Sequence, residues 1–314
     1  PPASPLSSGE SEANSERHTA LLRMADARSL RMVGLIMRGD EGNGLAISMG
    51  SRERPGSSGT LELSDCGIVQ FGTGIFSSGP VTLLRNNTLA RNQDWAIDSA
   101  ARTDEAVLLV EKNTISDNGH GISAHGGRVE LRRDHLIEDN RGASVAAADI
   151  ILGTRNIIQK NGEGLRADNT IRLKEENRIQ DNSGDGANAE RITLGKRNSI
   201  SGNEGMGLAV AAPDGDQESR LELGDFNLIL DNAKDGLYCG DSGTIRLGND
   251  NQVLRNDFSD TPSAGSGIKS QSGDITLGNG NTVNRNGQCG ILAPLGKVVL
   301  GEGNHIRTNN QSGI

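Results

Sequence analysis

The sequence predicts an all-β chain wound into a single right-handed parallel β-helix, a solenoid of about twelve coils with three short strands per coil. Three observations predict it. A tripeptide with apolar ends and Leu in third place returns eleven times between Leu61 and Leu300. Four residues after that Leu stands an Asn in nine of the eleven copies. The segments between turn residues alternate apolar and polar with period two, and none is long enough for a helix.

The tripeptide is the first strand of each coil, as in Leu61-Glu62-Leu63, Val81-Thr82-Leu83, Val129-Glu130-Leu131, Ile171-Arg172-Leu173 and Val298-Val299-Leu300. Successive copies lie 20, 26, 22, 21, 21, 21, 29, 24, 30 and 23 residues apart, a base period of 21 with insertions. The first turn carries the first Asn column, Asn87, Asn113, Asn156, Asn177, Asn198, Asn227, Asn251, Asn281 and Asn304, with Gly67 and His135 as exceptions. The second strand centres on an aliphatic residue two positions later, from Leu89 and Ile115 through to Ile306. The second turn carries a second Asn column, from Asn92 and Asn118 through to Asn309. The third strand opens on Gly-Ile or Gly-Leu, as in Gly121-Ile122 and Gly236-Leu237. Its next inward residue is small: Ser99, Ala124, Ala167, Ala189, Cys239, Ser270 or Ala293.

Parallel stacking at about 4.8 Å per coil makes a rod of roughly 55 Å and buries the Leu and Ile columns. Aliphatic columns with small fillers account for a chain with one Trp, one Tyr and four Phe. Asn at a turn tolerates left-handed φ, and stacked Asn amides can bond coil to coil as ladders.

Residues 1–16, rich in Pro, Ser, Gly and Glu, read as a disordered leader or linker. Residues 17–28 read as a helical or irregular N-terminal cover, and 29–314 as the β-helix. The chain stops at Gly313-Ile314, in the opening of a third strand. An open strand edge invites pairing, so the expectation is an oligomer contact or a further domain at the C-terminal end. Cys239 and Cys289 are expected in third strands two coils apart, about 9–10 Å, too far for a disulfide.

With 32 basic and 41 acidic side chains the formal net charge is −9. That argues against a nucleic-acid partner and against docking on an acidic membrane. No apolar run approaches the ~18 residues of a membrane span, so no membrane insertion is expected.

The cycle Asn-x-Ile-x-x-Asn…Gly-Ile…Ile-x-Leu resembles the right-handed parallel β-helix repeat proteins of the pectin-lyase-like superfamily, over about residues 29–314. The resemblance implies one of several functions: polysaccharide lyase, glycoside hydrolase, alginate epimerase, surface adhesin or periplasmic accessory protein. It also implies an extracellular, cell-surface or periplasmic location. Of four polygalacturonase signatures, Asn-Thr-Asp, Asp-Asp, Gly-His-Gly and Arg-Ile-Lys, only Gly119-His120-Gly121 is present. There is no Asp-Pro-His as in the epimerases. Trp95-Ala96-Ile97-Asp98 resembles the Trp-Ile-Asp-His of pectate lyases, with Ser99 where the His belongs.

One constellation is a catalytic candidate. Asp117 and Asp139 occupy the same place in successive coils, which stacks the carboxylates about 5 Å apart. Glu138, Arg141 and His120 fall in the same coils. Close carboxylates push one pKa upward, and Arg can neutralise a uronate, so acid/base chemistry would be served. The same oxygens suit Ca²⁺, as do Asp214 and Asp216 in an insertion, and no other cofactor is expected. A solvated face of alternating charge is the bland alternative. For ligand binding the candidates are Trp95, Tyr238, Arg166 and Lys269, the last three with Phe76 at outward positions of third strands. Sugar grooves usually carry stacked aromatics, and few are available here. The functional reading is a secreted or cell-surface module that binds a polysaccharide or protein partner without catalysis. The alternative is a lyase, epimerase or glycoside hydrolase acting on an acidic glycan.

Overall fold

Three strands alternate with two tight turns and one variable corner, coil after coil. The computed structural model describes residues 20–24, 29–40, 44–50, 59–210, 219–240, 243–257 and 265–314. Among these there is no helix, and every strand pairing is parallel. The second strands form a twelve-stranded sheet running from Ile36–Arg38 to His305–Arg307. First and third strands belong to a sheet of 21. They merge because in three coils the chain passes the variable corner without breaking, in the long strands His120–Arg133, Ala143–Thr154 and Glu163–Glu175. No insertion interrupts that corner in those coils.

Inside, each column stacks like on like. Leu63, Leu83, Leu109, Leu131 and Leu152 follow one another in register, as do Leu89, Ile115, Ile137 and Ile158. All are fully enclosed. At roughly 1.5–3 kcal/mol for each fully buried aliphatic side chain, the columns supply the main drive for coiling. Ser99, Ala124, Ala167, Ala189, Cys239 and Ser270 are buried small fillers, as expected.

Both Asn columns are ladders. Asn113 Oδ1 accepts the Asn87 backbone N–H at 3.0 Å and the Asn87 amide at 2.8 Å. In the second column Asn118, Asn140, Asn161 and Asn182 repeat this geometry. The Asn residues themselves are not left-handed, against expectation. The residue before each one is: Asp117 at φ 57°, Asp139 at 53°, Arg155 at 55°, and in three copies Gly202, Gly280 and Gly303. The amide must reach sideways to its neighbours, so the turn's reversal falls one residue earlier. The motif's Gly also follows from the ladder: a Cβ on Gly236 would lie 2.7 Å from the Asn256 amide nitrogen.

Further corrections concern the first coils and the cysteines. Cys66, not Gly67, fills the ladder position, because its N–H bonds Asn87 Oδ1 and a one-residue deletion shifts the turn. Phe71 takes the second-ladder place in that coil. Ala20–Met24, inside the expected cover, is a strand paired with Leu45–Met49, so coiling has begun by Ala20. Residues 1–19 lie outside the described residues. Cys289 sits in the turn ahead of a third strand, not within it, where its carbonyl accepts the Gly267 N–H.

All three cysteines are free. Burial pushes the Cys239 thiol up to about 12, so it is un-ionised and shielded from attack. Titration with a disulfide reagent should label half-buried Cys289 first and return three thiols once the chain is unfolded. A return near one would reveal a bridge and refute this.

Candidate functional site

The outward residues of the third strands form one line along the solenoid: Phe76, Asp98, Ser123, Ala146, Arg166, Asn188, Ala209, Tyr238 and Lys269. Three hollows open beside this line. The first, about 360 Å³, is lined by Phe76, Asp94, Trp95, Asp98, Ala100 and His125. The second, about 120 Å³, shares Trp95 and His125 with it and reaches Arg166 and Asp168. The third, about 250 Å³, shares Arg166 and extends through Asp185 and Asn188 to Lys234. Shared residues make them one groove, roughly 30 Å long at about 4.8 Å per strand.

Trp95 opens its strand beside His120, and the two rings stack with centroids 4.4 Å apart and planes 23° from parallel. Asp98, the residue after the buried Ile97, lies 5% exposed at the groove floor. His125 Nε2 stands 3.4 Å from Asp98 Oδ1 and 3.1 Å from Ser123 Oγ. Both contacts fall on one ring nitrogen, whereas a Ser–His–Asp relay needs its partners on opposite nitrogens. Ser123 is also only 1% exposed. The trio therefore has the geometry of an anchored imidazole, not of an activated nucleophile.

The catalytic candidates do not converge. Asp117 and Asp139 lie at the second turn, at the left-handed position that Arg91, Lys160, Asp181 and Arg255 fill elsewhere. The Asp side chain there suits a left-handed turn. Glu138, on the second-strand face, accepts the Gln159 amide at 2.7 Å. Arg141 reaches across to the Gln93 carbonyl at 3.2 Å. Of these, only His120 touches a groove residue, through its stack on Trp95. Among the described residues no three His, Cys, Asp or Glu side chains gather as a metal-ligand set, and Asp214 and Asp216 lie outside the described residues.

The binding candidates are placed better. Arg166 lines two hollows, 3.5 Å from Glu163. Further along, Lys269 lies over the Tyr238 ring at 5.8 Å and 4.0 Å from buried Asp235, whose carboxyl burial pushes up. Tyr238 Oη accepts the Gln271 amide at 2.8 Å. Phe76, expected to be exposed, is buried. Sequence reasoning noted Asp98 and His125 but did not place them, or Asp168, among the binding candidates. The signal for them was the outward register of the third strand, which it used only for the aromatic and basic residues.

A family model described as "Right handed beta helix region" matches residues 73–216. Over those residues the chain is similar to right-handed β-helix regions, and its described coils form one parallel β-solenoid. Its repeats are consistent with the pectin-lyase-like superfamily. No curated protein and no solved structure matches the chain. The groove of this β-helix begins and ends within the matched repeats or close beyond them, from Phe76 to Lys234.

Proposed function

We propose that the third-strand groove binds one extended polysaccharide without turning it over, on a protein working outside the cell, at its surface or in the periplasm. The joined run of three hollows carries this reading, because a linear polymer meets successive coils while a compact ligand would need only one. An indole at the junction of the first two hollows suits a sugar ring, which presents one apolar face. The single ring nitrogen serving both Asp98 and Ser123 speaks against nucleophilic catalysis.

The sign of the groove narrows the ligand. Six carboxylates line it, from Asp94, Asp98, Glu163, Asp168, Asp185 and Glu204, against Arg166 and Lys234. A polyuronate would bring like charge to like charge. This weighs against the acidic-glycan enzyme as the alternative.

Titration calorimetry against a panel of neutral and acidic oligosaccharides tests the reading, with reducing-end and unsaturated-product assays run alongside. Trp95→Ala should weaken the best binder by about ten- to a hundredfold, the loss of one central aromatic anchor. Product formation in either assay, or an affinity that Trp95→Ala leaves alone, would sink it.

A further inference from the structure

We infer that the first hollow is a stacking subsite for an uncharged pyranose unit, held on the one face of Trp95 that His120 leaves open; this rests on the groove reading above. The two rings lie nearly parallel at 4.4 Å, so His120 covers one indole face and steadies it. The imidazole is itself backed by Gly142, where any Cβ would collide with His120 Nδ1. That Nδ1 is enclosed and has no hydrogen-bond partner among the described residues. The Trp95 face and the Gly142 backbone thus flank the ring. His120 is a positioning residue: it touches the indole, and the indole touches the sugar.

The rest of the hollow completes the chemistry. Asp94, Asp98 and His125 line it with Trp95. Carboxylates accept hydrogen bonds and offer none when ionised, which matches the hydroxyl donors around a neutral pyranose. A uronate would instead add a carboxylate beside two others. A pre-set platform of this kind binds at low entropic cost, since neither ring has to be ordered on contact.

Trp95 is the only Trp in the chain, so its fluorescence reports on this hollow and its junction with the second. Cellohexaose and mannohexaose serve as neutral probes and hexagalacturonate as the charged one, followed by emission and by calorimetry. The expected result is a saturable change in Trp95 emission with a neutral probe at the affinity calorimetry gives. His120→Ala should weaken that probe about tenfold or more, and His120→Phe, which restores a flat ring, should recover most of the loss. If His120→Ala fails to fold by circular dichroism, the Phe variant and the emission change still decide. Tightest binding of hexagalacturonate would overturn the ligand class. Glycan binding without a change in emission, or with full affinity in His120→Ala, would overturn the subsite while leaving the groove intact. Heat from none of the probes would remove the groove reading itself.

Discussion

Asn161→Ala is expected to destabilise the chain by about 4 kcal/mol, the cost of orphaning several buried polar groups at once. Asn161 Oδ1 accepts the Asn140 N–H at 3.1 Å and the Asn140 amide at 2.9 Å. Its own amide donates to the carbonyls of Ile137 and Gln159, at 3.1 and 2.9 Å, and to Asn182 Oδ1 at 3.1 Å. Alanine removes the acceptor of the buried Asn140 N–H, leaves the Asn140 amide only the Ile115 carbonyl, and takes from the Ile137 carbonyl the amide it accepts. Asn182 Oδ1 keeps the Asn161 backbone N–H at 3.0 Å, so the damage runs mainly toward the preceding coil. Asn309, at the half-buried end of the same column, should cost about 1 kcal/mol on the same substitution, since water can replace what is lost. Urea unfolding of the two variants checks the gradient. Equal losses at both positions would mean that the ladder contributes through turn conformation and not through its buried bonds.

His135→Asn is expected to remove about 3 kcal/mol of acid-induced destabilisation. His135 occupies a first-ladder position, 1% exposed. Its Nδ1 accepts the Asn113 N–H at 3.1 Å, and its own N–H bonds Asn156 Oδ1 at 3.1 Å. Accepting at Nδ1 requires the neutral ring. Burial holds its pKa at about 4 rather than 6.5, with the facing Leu109 carbonyl opposing that shift.

The sign follows from linkage. The unfolded chain takes up this proton below pH 6.5 and the native chain only near pH 4. Stability is therefore complete above pH 6.5 and drains as the pH falls to 4, by about 1.4 kcal/mol per unit. Asparagine supplies the same acceptor without a titrating proton. It also restores the amide-to-amide bond that Asn113 lacks here, which should add about 1 kcal/mol at neutral pH. Comparing urea midpoints of variant and parent across this range cancels the shared carboxylates, such as Asp134, held low by Arg155, and Asp235, pushed up by burial. Parallel pH profiles for the two proteins would show that His135 is not the titrating group.

Most of the fold was legible in the sequence because a solenoid is nearly one-dimensional. Once the Leu, Asn and Gly positions recur, every residue's column is known, and insertions lengthen a corner without changing the column. The Leu and Ile stacks, both Asn ladders, the small fillers and the third-strand line of Arg166, Tyr238 and Lys269 were all read this way. Two small errors came from the same logic: a one-residue deletion moved the ladder place from Gly67 to Cys66, and the left-handed φ fell on the residue before the Asn.

The site was less legible, because membership of a column does not say which side chains meet. Asp117 and Asp139 share a column, yet with Glu138 they lie apart from the groove, while His120 turns its ring onto Trp95, its register partner in the preceding coil. That encounter depends on ring rotamers and on Gly142 in the next coil leaving room, neither of which has a sequence period. Asp98, Ser123 and His125 likewise meet through the outward register of two adjacent coils and one ring's orientation. Backbone hydrogen bonding and the apolar period, both repeated in every coil, determined the scaffold from the sequence alone. The groove, its sign and its aromatic platform arise from side chains that occur once, and only their tertiary packing decided them.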